Sequence, residues 1–132
     1  MEIVIHKMFL NLLGCQEALG MEDGNITDGQ ISASSQYSSH HSPNRSRLNI
    51  QASEAKKGAW SASTDDLNQW LQIDMVNQYT TVTRVATQGR NDYVQWVTKY
   101  ALQFSDDGVD FQYYREQGQN TYKVKQTSSF SF

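Results

Sequence analysis

The 132 residues, 15.1 kDa, fit one domain, and a net charge of −3 with no basic block longer than Lys56-Lys57 argues against a nucleic-acid partner. No stretch approaches the ~20 apolar residues needed to cross a bilayer as a helix. Charged residues make up only 19% of the chain, and Ser, Thr, Asn and Gln fill the polar surface, a balance that suits a secreted or cell-surface protein.

The chain starts MEIVIHKMFLNLLG. Its apolar run, Met8 to Leu13, is interrupted by Asn11, and Glu2 departs from the cationic start of a signal peptide. Residues 1–14 therefore read as a degraded signal or leader, with a gene-model artefact and an ordinary strand as the alternatives. Cys15 stands alone, so it is a free thiol, an intermolecular bridge or half of a pair whose partner is missing. Two glycosylation sequons follow, Asn25-Ile26-Thr27 and Asn44-Arg45-Ser46.

Residues 25–50 are rich in serine and read as a strand followed by a long loop. Ser61 to Leu67 offers a single helical turn around Thr64-Asp65-Asp66. In Trp70 to Met75, the residues Leu71, Ile73 and Met75 alternate onto one face of a strand. Thr81 to Gln88, with Val82, Thr83, Val85 and Thr87, has strand propensity. From Val97 to Ser105, Tyr100, Leu102 and Phe104 share a face. Ser105-Asp106-Asp107-Gly108 then supplies a hairpin turn, with Phe111, Tyr113 and Tyr114 on the return strand. Short strands punctuated by turns predict an all-β sandwich or barrel. Trp60 and Trp70 read as core. Trp96, after a polar loop, reads as core or as an exposed contact.

Catalytic chemistry is hard to find. His40 and His41 are adjacent, and their side chains point apart on an extended segment, a poor start for a metal site. No G-x-S-x-G elbow, no H-E-x-x-H and no phosphate-cradling glycine loop occurs. Asp106-Asp107 serves the turn. No cofactor is implied. A small metal-dependent hydrolase using His40, His41 and Asp65 is the enzymatic alternative, and a fragment unable to fold alone is a third.

Several ordered strings carry a resemblance. They are Gly20-Met21-Glu22-Asp23-Gly24-Asn25-Ile26-Thr27-Asp28-Gly29-Gln30-Ile31-Ser32-Ala33-Ser34-Ser35, Ser46-Arg47-Leu48-Asn49, Gly58-Ala59-Trp60 and Gln69-Trp70-Leu71-Gln72-Ile73-Asp74. Val82-Thr83-Arg84-Val85-Ala86-Thr87-Gln88-Gly89-Arg90, Trp96-Val97-Thr98-Lys99-Tyr100 and Ser105-Asp106-Asp107-Gly108 complete the set. In this order and spacing the chain resembles the discoidin (coagulation factor 5/8 type C) domain family from about Cys15 to Gly118. The resemblance implies a discoidin-like β-sandwich or distorted jelly-roll barrel and a ligand site built from loops at one end. It also implies a non-catalytic role in binding phospholipid head groups, glycans, collagen or protein partners. The family continues for roughly 40 more residues, with further strands and a closing cysteine. On that comparison, residues 15–125 read as a domain lacking its last strands, without the partner of Cys15, and residues 126–132 as an atypical tail.

The resemblance also locates the candidate site. Tyr37 and Asp65 match positions of the peptide pocket in neuropilin-like members, where His41 replaces a Trp, while the carboxylate-holding residues of the later loop are unmatched. The apolar spikes of membrane-binding members reduce to Tyr93 and Val94. The candidate ligand residues are therefore Tyr37, His41, Asp65, Arg90, Asn91, Asp92, Tyr93 and Trp96: aromatic platforms beside hydrogen-bonding groups. They suit a cell-surface glycan or an extracellular protein better than a phospholipid, in an adhesion role outside the cell.

Overall fold

The alternation in Trp70–Asp74 does what a half-buried strand requires. Leu71 and Ile73 are buried, whereas Trp70, Gln72 and Asp74 are half-buried on the opposite side. In the computed structural model, residues 2–6, 18–76, 80–121 and 123–126 are described. Their strands are β1 (Glu2–His6), β2 (Ile31–Ala33), β3 (Trp70–Asp74), β4 (Lys99–Ser105), β5 (Gln112–Tyr113) and β6 (Val124–Gln126). Helical structure among the described residues is confined to short 3-10 turns at Asp28–Gln30, Ser39–His41 and Pro43–Ser46, so the protein is all-β as the sequence predicts.

The strands join in the order β2-β3-β1-β4-β5, and β6 pairs with the other end of β4. β2 lies antiparallel to β3, with Ile31 opposite Ile73 and Ala33 opposite Leu71. β5 and β6 lie antiparallel to β4. β1 is inserted between β3 and β4 and runs parallel to both. Glu2–His6, within the stretch read as a leader, forms a strand. Cys15, the rest of the leader reading and the tail beyond Gln126 lie outside the described residues.

Two apolar clusters hold the loops onto this sheet. Ile26, Ile31, Leu71 and Ile73 form the first, with Met21, Ala33, Trp60 and Met75 packed against them. Burying an aliphatic side chain of this size stabilises by roughly 2 kcal/mol. Tyr100 anchors the second, with Val82, Val85, Val97 and Leu102, and Met75 touches both. Trp60 serves the core as expected, half-buried, with its Nε1 donating to the Ser35 carbonyl at 2.9 Å.

Three expectations change. Thr81–Gln88 forms no strand: Val82 and Val85, three residues apart, turn inward onto Tyr100, so packing and not ladder pairing holds this segment. The single helical turn at Ser61–Leu67 is instead a turn centred on Leu67 and Asn68. Asp66 organises it by accepting from the Asn68 backbone N–H at 2.8 Å and from the Gln69 amide at 3.0 Å. The return strand after the hairpin is only Gln112–Tyr113. The hairpin turn itself is as read. Gly108 adopts φ 74°, and Asp107 Oδ1 accepts from the backbone N–H groups of Val109 and Asp110. Those bonds hold the Asp107 carboxyl down at a pKa of about 2.

Candidate ligand-binding site

Three loops meet at one end of the sheet: residues 35–45, residues 51–63 and residues 88–96. Backbone bonds tie the first two together. The Tyr37 N–H donates to the Ser61 carbonyl at 2.8 Å, the Lys57 N–H to the His40 carbonyl at 3.0 Å, and the Ser61 N–H to the His41 carbonyl at 3.4 Å. Arg45 reinforces them from within its 3-10 turn, donating to the carbonyls of Lys57 and Gln51. Ser34 and Ser35 both donate to Gln69, which in turn donates to Thr64 and Asp66, so the 61–69 turn is also fixed to β2.

The third loop is held by an ion pair between a buried arginine and a carboxylate at the surface. Arg90 is 8% exposed, and its Nε and Nη2 donate to the two Asp92 carboxylate oxygens at 2.9 and 2.8 Å, a bidentate fork. Its Nη1 donates to Gln95 Oε1, and the Gln95 carbonyl accepts from the Arg90 N–H. Asp92 also accepts from the Gly58 backbone N–H at 3.1 Å, and Lys57 Nζ stands 3.9 Å away. The same carboxylate thus closes its own loop and clamps it to the second. The Arg90 hydrogen bonds, then the Gly58 N–H, hold the Asp92 pKa at about 2. Gly58 is where the loops touch: a Cβ there would fall inside contact distance of Asn91 Oδ1 and 2.9 Å from Asp92 Oδ1. Asn91 donates to Gln51, and its Oδ1 is buried without a hydrogen-bond partner.

Above this base the aromatic residues stand out. Tyr37 is 69% exposed and meets the His41 ring edge-on at a centroid distance of 5.4 Å. Tyr93 is 64% exposed and carries the Arg90 guanidinium over its ring at 5.5 Å. Val94, beside it, is also exposed. His41 is buried, with Ser38 Oγ 2.9 Å from its Nδ1. Burial lowers its pKa, and the nearby charges of Arg90 and Lys57 push the same way, so it is held neutral.

The predicted residues therefore divide. Tyr37, His41, Arg90, Asp92 and Tyr93 gather around the loop junction. Arg90, Asn91 and Asp92 direct their polar groups into the protein, and His41 supports Tyr37 from below. Asp65 is exposed on the 61–69 turn, and Trp96 is 39% exposed at the end of its loop. His40 is exposed while His41 is buried, and among the described residues no group of three His, Cys, Asp or Glu side chains is placed to hold a metal ion. Of the sequons, Asn25 is exposed and donates to Asp23, whereas Asn44 is half-buried, donating to Asp28 and accepting from Ser42. Gly58, Gln95, Gln51 and Ser38, which hold the loops together, are not among the residues to which the sequence points as ligand contacts. Only Gly58 left a trace, as part of the Gly58-Ala59-Trp60 string.

A family model described as F5/8 type C domain matches residues 30–131. The chain is 39% identical over 115 residues to lactadherin of Rattus norvegicus, covering 81% of this chain and 26% of that protein. It is 38% identical over 117 residues to coagulation factor V of Sus scrofa, covering 84% and 5% respectively. It is also 39% identical over 123 residues to EGF-like repeat and discoidin I-like domain-containing protein 3 of Homo sapiens, covering 87% and 25%. The chain belongs to the F5/8 type C (discoidin) domain family, a family of β-sandwich binding modules. It spans about a quarter of the lactadherin and discoidin I-like relatives and a twentieth of factor V.

Proposed function

We propose that this chain is a non-catalytic extracellular binding module for cell adhesion, and that its loop end recognises a cell-surface glycan or an extracellular protein. One observation carries the reading: Tyr93 is largely exposed on the loop that the Arg90–Asp92–Gly58 clamp holds, and Tyr37 is largely exposed on the loop tied to it through the Tyr37–Ser61 and Lys57–His40 backbone bonds. An aromatic face fixed in advance loses little conformational entropy on binding and stacks on the apolar face of a sugar or fits a protein surface. Tyr37, Tyr93 and Trp96 supply the contacts, and the tyrosine hydroxyls, Asp65 and Lys57 supply hydrogen bonds. Arg90, Asn91, Asp92 and His41 position them.

A phospholipid surface is the second reading, favoured by the adjacent exposed pair Tyr93 and Val94, which could seat in an interfacial layer. The net charge of −3 opposes binding to anionic lipid.

Binding of the chain to a glycan array, to a panel of extracellular proteins and to phosphatidylserine vesicles separates these readings. Tyr37→Ala and Tyr93→Ala should each weaken glycan or protein binding about tenfold, the usual effect of removing a central aromatic contact. Val94→Ser should leave that binding unchanged. Vesicle binding lost in Val94→Ser would favour the lipid reading. Glycan or protein binding that survives both tyrosine changes would overturn the assignment of this end.

A further inference from the structure

The two Asn-X-Ser/Thr strings are used differently by the fold. Asn25-Ile26-Thr27 lies on the turn that leads into β2. Ile26 is 3% exposed and anchors that turn in the first apolar cluster, while Asn25 and Thr27 on either side of it are exposed. The Gly24 and Ile26 N–H groups both donate to the Gly20 carbonyl at 3.1 Å, which closes the backbone around Asn25. The Asn25 Nδ2 donates to Asp23 Oδ2 at 2.8 Å, and Asp23 is itself exposed. An amide nitrogen carries two protons, so one can be replaced by a carbon while the other still reaches Asp23.

Asn44-Arg45-Ser46 is built into the packing instead. Asn44 is half-buried in the 3-10 turn Pro43–Ser46, where its Oδ1 accepts from Ser42 Oγ at 2.6 Å and its Nδ2 donates to Asp28 Oδ2 at 2.7 Å. Asp28 also receives Arg47 Nη2 at 2.6 Å, and Ser46 Oγ donates to the Pro43 carbonyl at 2.7 Å. A bulky, hydrated group on Asn44 would have to be carried into this half-buried network as the chain folds. On Asn25 it would stay in solvent. Asn44 also belongs to residues 35–45, one of the three loops of the candidate site, which follow β2, whereas Asn25 precedes that strand.

We infer that Asn25 is an N-glycosylation site of the folded protein and that Asn44 stays unmodified. This rests on the extracellular reading above, because the transfer takes place in the secretory pathway. Asn25 Nδ2 bonds to the anomeric carbon of an oligosaccharide carried on a lipid pyrophosphate. The bond from that carbon to the pyrophosphate oxygen breaks, the lipid pyrophosphate leaves with the electron pair, and Nδ2 gives up one proton. The glycan then stands on the turn before β2 and not on the loops that carry Tyr37 and Tyr93.

The test expresses the full chain behind a cleavable signal in cultured animal cells and treats the secreted and the retained chain with peptide-N-glycosidase. The expected result is one mobility shift, with the secreted chain deamidated by the enzyme at Asn25 and not at Asn44. Asn25→Gln and Thr27→Ala should each abolish the shift, and Asn44→Gln should leave it. An unshifted chain, a shift that survives Asn25→Gln, or a glycan on Asn44 of the secreted chain overturns the assignment. The added signal supplies entry, so an unshifted chain speaks against the Asn25 site alone, while the extracellular reading stands or falls on the binding screen. A second measurement needs no secretion. In chain made in bacteria, Asn44→Gln should lower the melting temperature by a few degrees and Asn25→Gln should leave it unchanged, and the reverse order would overturn the division of roles.

Discussion

Asp92→Ala is expected to destabilise the protein by about 2 kcal/mol, the cost of leaving the buried Arg90 guanidinium without its acceptor. The loss exceeds that of a surface salt bridge because the Arg90 side chain is 9% exposed and keeps its charge with no carboxylate to receive it. The Gly58 N–H loses its acceptor at the same time. For a domain of this size that corresponds to a melting temperature several degrees lower. Arg90→Met should be milder, because it removes the buried cation and leaves Asp92 able to turn toward water and Lys57. Asp92→Ala and Arg90→Met compared by thermal melting check the order, and equal losses would show that the charge is not what the site stores.

The pair also sets a pH dependence. The Asp92 pKa falls from 3.8 to about 2 in the folded state, so its contribution is complete above pH 4–5 and is lost as pH drops from 3.8 toward 2. His41, with its pKa depressed below 6.5, acts earlier in the same direction: its contribution is present above 6.5 and is lost as pH falls through the lower folded value. Acid therefore destabilises the fold first through His41 and then through its carboxylates, and Asp92→Ala should reduce the lower stage, leaving the share that Asp107 contributes.

Gly58→Ala is the second large effect. The added methyl collides with the side-chain oxygens of Asn91 and Asp92, so those side chains must swing aside and the Asp92 bond to the Gly58 N–H is weakened. A stability loss of about 1–3 kcal/mol is expected from overpacking at a closed contact. The more telling result is functional: ligand binding should fall although neither tyrosine has been touched. A Gly58→Ala protein with unchanged melting temperature and unchanged binding would mean that the loops are not clamped there. Gly29→Ala is the control, since nothing lies within 4 Å of its Cβ position.

How much of this was legible in the sequence depended on the range of each signal. β3 and β4 could be read directly, because a period of two over five to seven residues with Leu71, Ile73 and Tyr100 facing inward is a local pattern. The Asp106-Asp107-Gly108 turn was legible for the same reason. Thr81–Gln88 misled because β-branched residues favour any extended packing, and Val82 and Val85 satisfy Tyr100 without a neighbouring ladder. The middle position of Glu2–His6 left no mark in periodicity, since strand order is set by pairing between segments far apart in the chain.

At the candidate site, residue type pointed to these loops but not to the direction each side chain takes. Arg90, Asn91 and Asp92 look like ligand donors and acceptors when read along the chain. In three dimensions Arg90 and Asp92 find each other two residues apart, and Gly58, from a different loop, completes the arrangement. Tyr37 and Tyr93 are left facing solvent. A glycine needed for a close approach between loops is visible only when both loops are in view.

The most direct measurement is an amide NMR footprint of the chain with the tightest glycan or protein found in the binding screen. Shifts concentrated at residues 37–41, 57–65 and 90–96, with β3 and the Asp106–Asp110 hairpin unmoved, are what this account predicts. Shifts centred on the hairpin or spread along the sheet edge, with Tyr37 and Tyr93 unaffected, would contradict it.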